Sequence, residues 1–407
     1  MTAPLSHIRI LDLSRVLAGP WATQNLGDLG AEIIKVEKPG AGDDTRGYGP
    51  PFTRGADGQP TTDAVYFLTT NRNKKSIEVD IATPEGQDIV RRLAAVSDVV
   101  VENYKVGTLA RYGLAWDDLR QVNPRLVYAS ITGFGQDGPY ASRPGYDLLF
   151  QAMAGVMSVT GEPDGVPGGG PQKVGIAVAD MMTGMYTALA ISAALTHCER
   201  TGEGQHIDIA LMDTMVAFAS NAALSWLHAG VVAGRWGTAH PQVVPYQRFE
   251  TADGHLVLCI GSDSQWASFC RAAGRTDLGG DPRYATNAGR VQHREPLLAA
   301  LTAELKTRSK RDWQALLDAA SVPCGPINNL REVFEEPQVR HRGLHIELPH
   351  AAAGQVPGVA SPMRLSATPV DYRRGPPLLG QHTDEVLRGL LGLGEADIAA
   401  LRAAAVI

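Results

Sequence analysis

The chain has 407 residues, 44% hydrophobic and 20% charged, with a net charge of −6. That length predicts two domains rather than one core, and the acidic balance speaks against a nucleic-acid binder. The four cysteines, Cys198, Cys259, Cys270 and Cys324, show no C-x-x-C spacing. This argues against a zinc site or a disulfide framework and for reduced thiols in a cytoplasmic setting. The opening Met1-Thr-Ala-Pro-Leu-Ser-His7 has no basic stretch followed by an apolar run, so no signal or transit peptide is expected.

The first third alternates strands and helices. Residues 7–13 (HIRILDL) predict a strand, and Pro20 suits the first turn of a helix running toward Asp28 and Gly30. Strands are predicted at 31–37 (AEIIKVE) and 76–81 (SIEVDI). Thr83 caps the next helix, with Pro84 at its first position and Ile89, Val90 and Leu93 on one face. Further strands are predicted at 98–102 (DVVVE), 125–132 (RLVYASIT) and 205–211 (QHIDIAL), the last leading into an apolar helix at 213–228. Such alternation indicates a mostly parallel sheet covered on both faces. Residues 246–250 and 255–260, joined by a turn at Asp253-Gly254, predict a β-hairpin. The chain then returns through 356–365, a loop at 376–381 and a last helix near 383–391.

The expected organisation is a first part of the large domain at 1–215, a linker at 216–244, a small inserted α+β domain at 245–320, and a linker and return at 321–407. Two Pro/Gly-rich stretches, near 234–245 and 322–326, flank the insertion.

One carboxylate stands out. Asp180 is the only charged residue between Lys173 and Glu199, and the segment after it carries Met181, Met182, Met185, Leu189, Ile191 and Leu195. Thr183, Gly184, Thr187 and Ser192 interrupt that run, and no aromatic or basic flanks frame it, so a buried helix is expected rather than a membrane span. An unpaired carboxylate there is costly. It is either a helix N-cap or a functional group held in a dry site, where it could act as a nucleophile. The residues alone leave both open.

Other motifs are weaker. Gly133-Phe-Gly135-Gln-Asp-Gly138 matches G-x-G-x-x-G, but Pro139 follows and no helix N-terminus is offered to a pyrophosphate. Glu37 has the spacing of a ribose acid, yet Arg15-Val-Leu-Ala-Gly-Pro20 lacks the glycine triad. A plain turn is the better reading. The Gly-rich segment 161–172 reads as a surface loop or a lid. Lys38, Asn73, Lys74, Lys75, Asn103 and Arg111 border predicted strands, where an anionic ligand could dock. There is no metal-binding H-E-x-x-H and no G-x-S-x-G elbow.

Several motifs together resemble the family III CoA-transferases, the CaiB/BaiF type that includes formyl-CoA and carnitine CoA-transferases. They are Leu11-Asp-Leu-Ser-Arg-Val-Leu-Ala-Gly-Pro20, Asp28-Leu-Gly-Ala-Glu-Ile-Ile-Lys-Val-Glu37, Asn71-Arg-Asn-Lys-Lys-Ser76, Val101-Glu-Asn-Tyr104 and Gly145-Tyr-Asp147. The resemblance implies a Rossmann-like α/β large domain, a smaller inserted domain and an interlocked homodimer. It implies coenzyme A, as acyl-CoA, and a carboxylic acid as substrates, with no metal, nucleic acid or membrane. Asp180 matches the family's nucleophile. Val16, Lys38, Asn73, Lys74, Lys75, Asn103, Tyr104, Arg111 and Tyr146 match its CoA contacts.

Leu17 and the segment Arg235-Trp-Gly-Thr-Ala-His240 depart from the formyl-CoA members, which have a Gln and a tetraglycine lid there. Gly42-Asp-Asp-Thr-Arg46, Arg235–His240 and Val322-Pro-Cys-Gly-Pro-Ile-Asn-Asn329 are most similar to the succinate–glutarate type, which implies a short dicarboxylic acid as acceptor. Such an acid needs a fixed cation for its second carboxylate, and Arg46 and Arg235 are the candidates, with His240 beside them. Two alternatives are an α-methylacyl-CoA racemase and a non-catalytic CoA-binding protein. Racemisation calls for a His before the Asp of Gly-x-Asp. Tyr146 stands there instead, and tyrosine is a poor base at neutral pH.

Overall fold

The computed structural model describes residues 3–407. Two compact units divide the chain: Met157–Lys173 with Leu224–Glu336, and the remainder.

In the larger unit six strands form one sheet: β1 (Arg9–Asp12), β2 (Glu32–Glu37), β3 (Lys74–Glu78), β4 (Val99–Glu102), β5 (Val127–Thr132) and β6 (Gln205–Ala210). Every neighbouring pair is parallel and the order is β3-β2-β1-β4-β5-β6, the doubly wound dinucleotide-fold order. Alternation along the strands supplies two hydrophobic layers. Ile10, Ile33, Val99 and Ile131 face one layer, with Ala22 and Leu26 of α1 (Ala18–Asp28). Leu11, Ile34, Ile77 and Val100 face the other, with Val90 and Leu93 of α2 (Pro84–Ala95). Thr83 caps α2, its hydroxyl accepting from the Gly86 N–H at 3.0 Å.

Two features differ from the sequence expectation. Strand β3 begins at Lys74 and ends at Glu78, earlier than the hydrophobic pattern indicates. Its first two residues are charged, Lys74 buried and Lys75 half-buried, and each has a partner. The helix predicted at 213–228 is two, α5 (Leu211–Phe218) and α6 (Ser220–Ala229), broken at Ser220, where φ is +46°. Between them and β5 lie the two helices that carry the site, α3 (Asp147–Met153) and α4 (Val178–Thr201). Helix α4 is long and apolar enough to cross a membrane by length and composition. Here Ile191, Ala194 and Leu195 are buried in the first hydrophobic layer. Gly184 permits its close approach to α1, since a Cβ there would lie 2.5 Å from the Ala18 carbonyl oxygen.

The smaller unit has a three-stranded antiparallel sheet containing the predicted hairpin, Tyr246–Thr251 with Gly254–Cys259. Trp266, Phe269, Leu301 and Trp313 fill its own core.

Buried charges fix the carboxyl end of the large sheet. Asp12 pairs with Lys74 at 3.0 Å, and Lys35 pairs with Asp43 at 2.8 Å, all four side chains being buried. Lys74 also donates to the Pro20 carbonyl at 3.0 Å. Removing one member strands its partner, so Lys74→Ala should cost about 3–5 kcal/mol in urea unfolding. Lys75, which reaches Glu32 and Glu385 nearer the surface, should cost about 1 kcal/mol or less when replaced by Ala.

Candidate active site

In a sheet of this order, ligands bind outside the carboxyl ends of the strands, where the winding reverses between β1 and β4. Two loops meet at that point. Asn103, just after β4, accepts from the Arg15 N–H at 2.9 Å and donates to the Arg15 carbonyl at 2.7 Å. Beside it Val16 sits at φ +70°, a left-handed conformation unusual for a β-branched residue. Its N–H is directed at the Asp43 carboxylate, 3.2 Å from either oxygen. Strain of this kind costs on the order of 1–3 kcal/mol and persists where the surroundings impose it.

A cavity of about 200 Å³ opens over these loops. Val16, Asn103, Tyr104, Tyr146 and Asp180 all line it. The fold thus brings together five residues scattered over most of the first half of the chain. A second cavity, of about 480 Å³, shares Arg15, Asp44 and Tyr104 with the first and is bordered by Lys38.

Asp180 is half-buried in the first turn of α4. It is not the cap: Ala177 holds that position and offers no side-chain acceptor. Among the described residues no side-chain hydrogen bond or ion pair engages the Asp180 carboxylate. Burial, with the nearby negative charge of Asp147, pushes it up to about 7 from an ordinary value of 3.8.

Asp147 was not singled out from the sequence as a site residue. Its Oδ1 accepts from the Ala179 N–H at 2.7 Å, so it provides the helix-start acceptor that Ala177 lacks. Its Oδ2 accepts from the Gln151 amide at 2.6 Å. The only sequence signal was its place in Gly145-Tyr-Asp147. Arg143 was also missed. It lines the Asp180 cavity, and its guanidinium lies 4.4 Å from the Tyr140 ring centre and 5.3 Å from that of Phe134. No carboxylate pairs with it among the described residues.

The other expected residues stand elsewhere. Asn73 is buried, donating to Asp28 and to the Asp371 carbonyl. Lys74 and Lys75 are engaged as described above, and neither lines either cavity. Arg111 is exposed on the turn Ala110–Tyr112 and lines neither cavity. Arg46 is buried, with Glu37 at 2.7 Å and Asp63 at 2.7 Å, so its charge is already matched and Glu37 is not free to hold a ribose. In the smaller unit Arg235 pairs with Asp164 and donates to the carbonyls of Ser158 and Glu162. It therefore holds the Gly-rich segment. His240 accepts from the Gln242 N–H at 3.0 Å and packs edge-on against Tyr246. The turn at Gly133–Gly138 starts no helix.

Residues 5–383 match the family model of CoA-transferase family III. The chain belongs to that family. As a family III CoA-transferase it is an enzyme that uses CoA as a substrate. It is 49% identical to a succinate–glutarate CoA-transferase of Agrobacterium fabrum over 95% of this chain and 96% of that one. It is 44% identical to the human succinyl-CoA:glutarate CoA-transferase over 99% of this chain and 90% of that one. A CaiB/BaiF family protein from Brucella suis, solved by crystallography, superposes with a TM-score of 0.85 at 43% identity, covering 96% of this chain and all of its own.

The raised Asp180 has a thermodynamic signature. A carboxyl whose folded value exceeds its unfolded value binds its proton more tightly in the native state, so its ionisation opposes folding as pH rises from about 4 to 7. At about 1.4 kcal/mol per pKa unit, Asp180→Asn should stabilise the CoA-transferase by a few kcal/mol at pH 8. That gain should shrink to nothing near pH 4, as read from chemical denaturation at the two pH values.

Proposed function

We propose that the enzyme moves CoA from succinyl-CoA to a short dicarboxylic acid, glutarate foremost, through covalent intermediates on Asp180. The observation that carries this reading is the unpaired, half-buried carboxylate in a cavity at the switch point of a CoA-transferase fold. A carboxylate raised toward 7 is a better nucleophile than an ordinary one, and it is still substantially ionised at neutral pH.

The proposed steps conserve the thioester. An oxygen of Asp180 attacks the succinyl carbonyl, the C–S bond breaks, and CoA leaves as a thiolate. The product is a mixed anhydride between succinate and Asp180. The thiolate attacks the Asp180 carbonyl carbon, which releases succinate and leaves Asp180 as a CoA thioester. The acceptor carboxylate then attacks that carbonyl, expelling the thiolate and forming a second anhydride. Attack of the thiolate on the acceptor carbonyl yields the new acyl-CoA and frees Asp180. No net proton, electron pair or phosphate is consumed. Each tetrahedral intermediate needs a donor for its oxyanion, and exclusion of water protects the anhydrides.

The dicarboxylate preference rests on the names of the relatives and on one charge. Arg46 and Arg235 are committed to carboxylates of the protein, whereas Arg143 lines the Asp180 cavity with no carboxylate paired to it among the described residues. We assign it the distal carboxylate of the acid. The family resemblance further implies a homodimer, for which Met185, Tyr186 and Leu189, exposed along α4, offer an apolar surface. Sedimentation at twice the 43.3 kDa chain mass is its test.

The functional test is a transfer assay with succinyl-CoA against a panel of mono- and dicarboxylic acids. Glutarate should be used well and monocarboxylates of similar length poorly. Arg143→Leu should raise the KM for glutarate about tenfold or more, the worth of a charge-assisted hydrogen bond, and leave monocarboxylate turnover unchanged. Equal use of monocarboxylates by the wild-type enzyme would remove the dicarboxylate reading. Solvent exchange of an α-proton without transfer would favour a racemase instead.

A further inference from the structure

The mechanism above uses Asp180 but gives no work to the second carboxylate beside it. We infer that Asp147 is the positioning residue of this site: it anchors the first turn of α4 and sets a fixed negative charge beside the nucleophile. This deepens the reading of Asp180 as nucleophile and rests on it.

The anchoring is a chain of hydrogen bonds from α3 to the start of α4. Asp147 Oδ1 takes the Ala179 N–H, the peptide immediately before Asp180, at 2.7 Å. Gln151, one turn further along α3 and fully buried, donates its amide to Asp147 Oδ2. Its own carbonyl oxygen accepts from the Val174 N–H at 2.8 Å. The segment 174–179 is thus held at both ends by one clamp. The N-cap residue of α4, Ala177, makes no side-chain cap bond of its own. Misplacement of a nucleophile by about 1 Å can cost on the order of 10²-fold in rate, so the clamp bears directly on turnover.

The charge has a separate consequence. A neighbouring carboxylate disfavours ionisation of Asp180, which makes its oxygen more basic. The other ionisable groups around Asp180 are Tyr66, from the helical turn Val65–Leu68, and Tyr146, just ahead of α3. Across the cavity stand Arg15 with its partner Asp44, and Tyr104, Lys105 and Arg143. Of the carboxylates in these two groups, Asp44 is matched by Arg15. Asp147 has hydrogen-bond donors but, among the described residues, no cation paired with it.

Two substitutions separate the charge from the clamp. Asp147→Asn keeps an oxygen for the Ala179 N–H, loses the bond to Gln151 and removes the charge. Gln151→Ala also loses that bond but leaves the charge in place. The experiment measures the pH dependence of kcat/KM for CoA transfer in both variants, the wild type and Asp180→Ala. The acid limb, expected near pH 7 in the wild type, should move down by about one unit in Asp147→Asn and stay in place in Gln151→Ala. Both should lower kcat more than they raise the KM for acyl-CoA. An unmoved limb in Asp147→Asn, or an equal shift in both variants, overturns the role of the charge. Full activity in Asp180→Ala would instead refute the nucleophile itself, so the two failures are distinguishable. Should either variant fail to fold, Asp147→Glu reads the same charge, and its limb should remain near the wild-type position.

Discussion

The buried ion pairs Asp12–Lys74 and Lys35–Asp43 are what the rest of the large unit depends on. Asp12 ends β1, Lys35 lies in β2 and Lys74 opens β3. Their ammonium groups also reach backbone carbonyls of the following segment, Lys35 that of Ser14 and Lys74 that of Pro20. Charges so deep cannot stay unpaired, so each reaches a single partner geometry and fixes the Ser14–Pro20 segment with it. The strained Val16 backbone follows from this arrangement. So does the close seating of α1, where a Cβ on Gly19 would lie 2.2 Å from the Ser14 hydroxyl oxygen. Helix α4 then packs on the start of α1 through Gly184, which brings Asp180 to the same crevice as Val16 and Asn103.

The molecule handles its acidic residues in two ways. Asp12, Asp28, Glu37 and Asp43 are buried against Lys or Arg, and their work is to hold the fold. Among the described residues Asp180 has no such partner, and the nearby charge that acts on it is that of another acid, Asp147. Pairing would stabilise it and make it a poor nucleophile. Leaving it unpaired in an apolar helix costs stability and keeps its basicity high, the trade expected of a reacting group.

Much of the fold was legible in the sequence because most strands follow a hydrophobic rule. The runs ending at Asp12, Glu37, Glu102 and Thr132 are mostly apolar on both faces, as a covered parallel sheet requires. Strand β3 was placed late because Lys74 is charged, and hydrophobic periodicity does not reveal a buried pairing partner 62 residues away. The same blindness made Arg46 a ligand candidate, since nothing local announces Glu37 and Asp63 around it. For Asp180 the sequence raised the right question, cap or functional group. That it is not the cap could not be read locally, because the acceptor at the helix start is Asp147, whose bond to Ala179 spans 32 residues. Asn103 was legible from its place at a strand end, Val16, Tyr104 and Tyr146 came from family resemblance, and Arg143 could be recognised only once its surroundings were known.

The central claim is that Asp180 becomes covalently acylated. The most direct test incubates the enzyme with succinyl-CoA and hydroxylamine and maps the modified peptide by mass spectrometry. A hydroxamate at Asp180 that depends on acyl-CoA and is absent from Asp180→Asn is the predicted result. Steady transfer activity with an unmodified Asp180, or an adduct on a different residue, would contradict it.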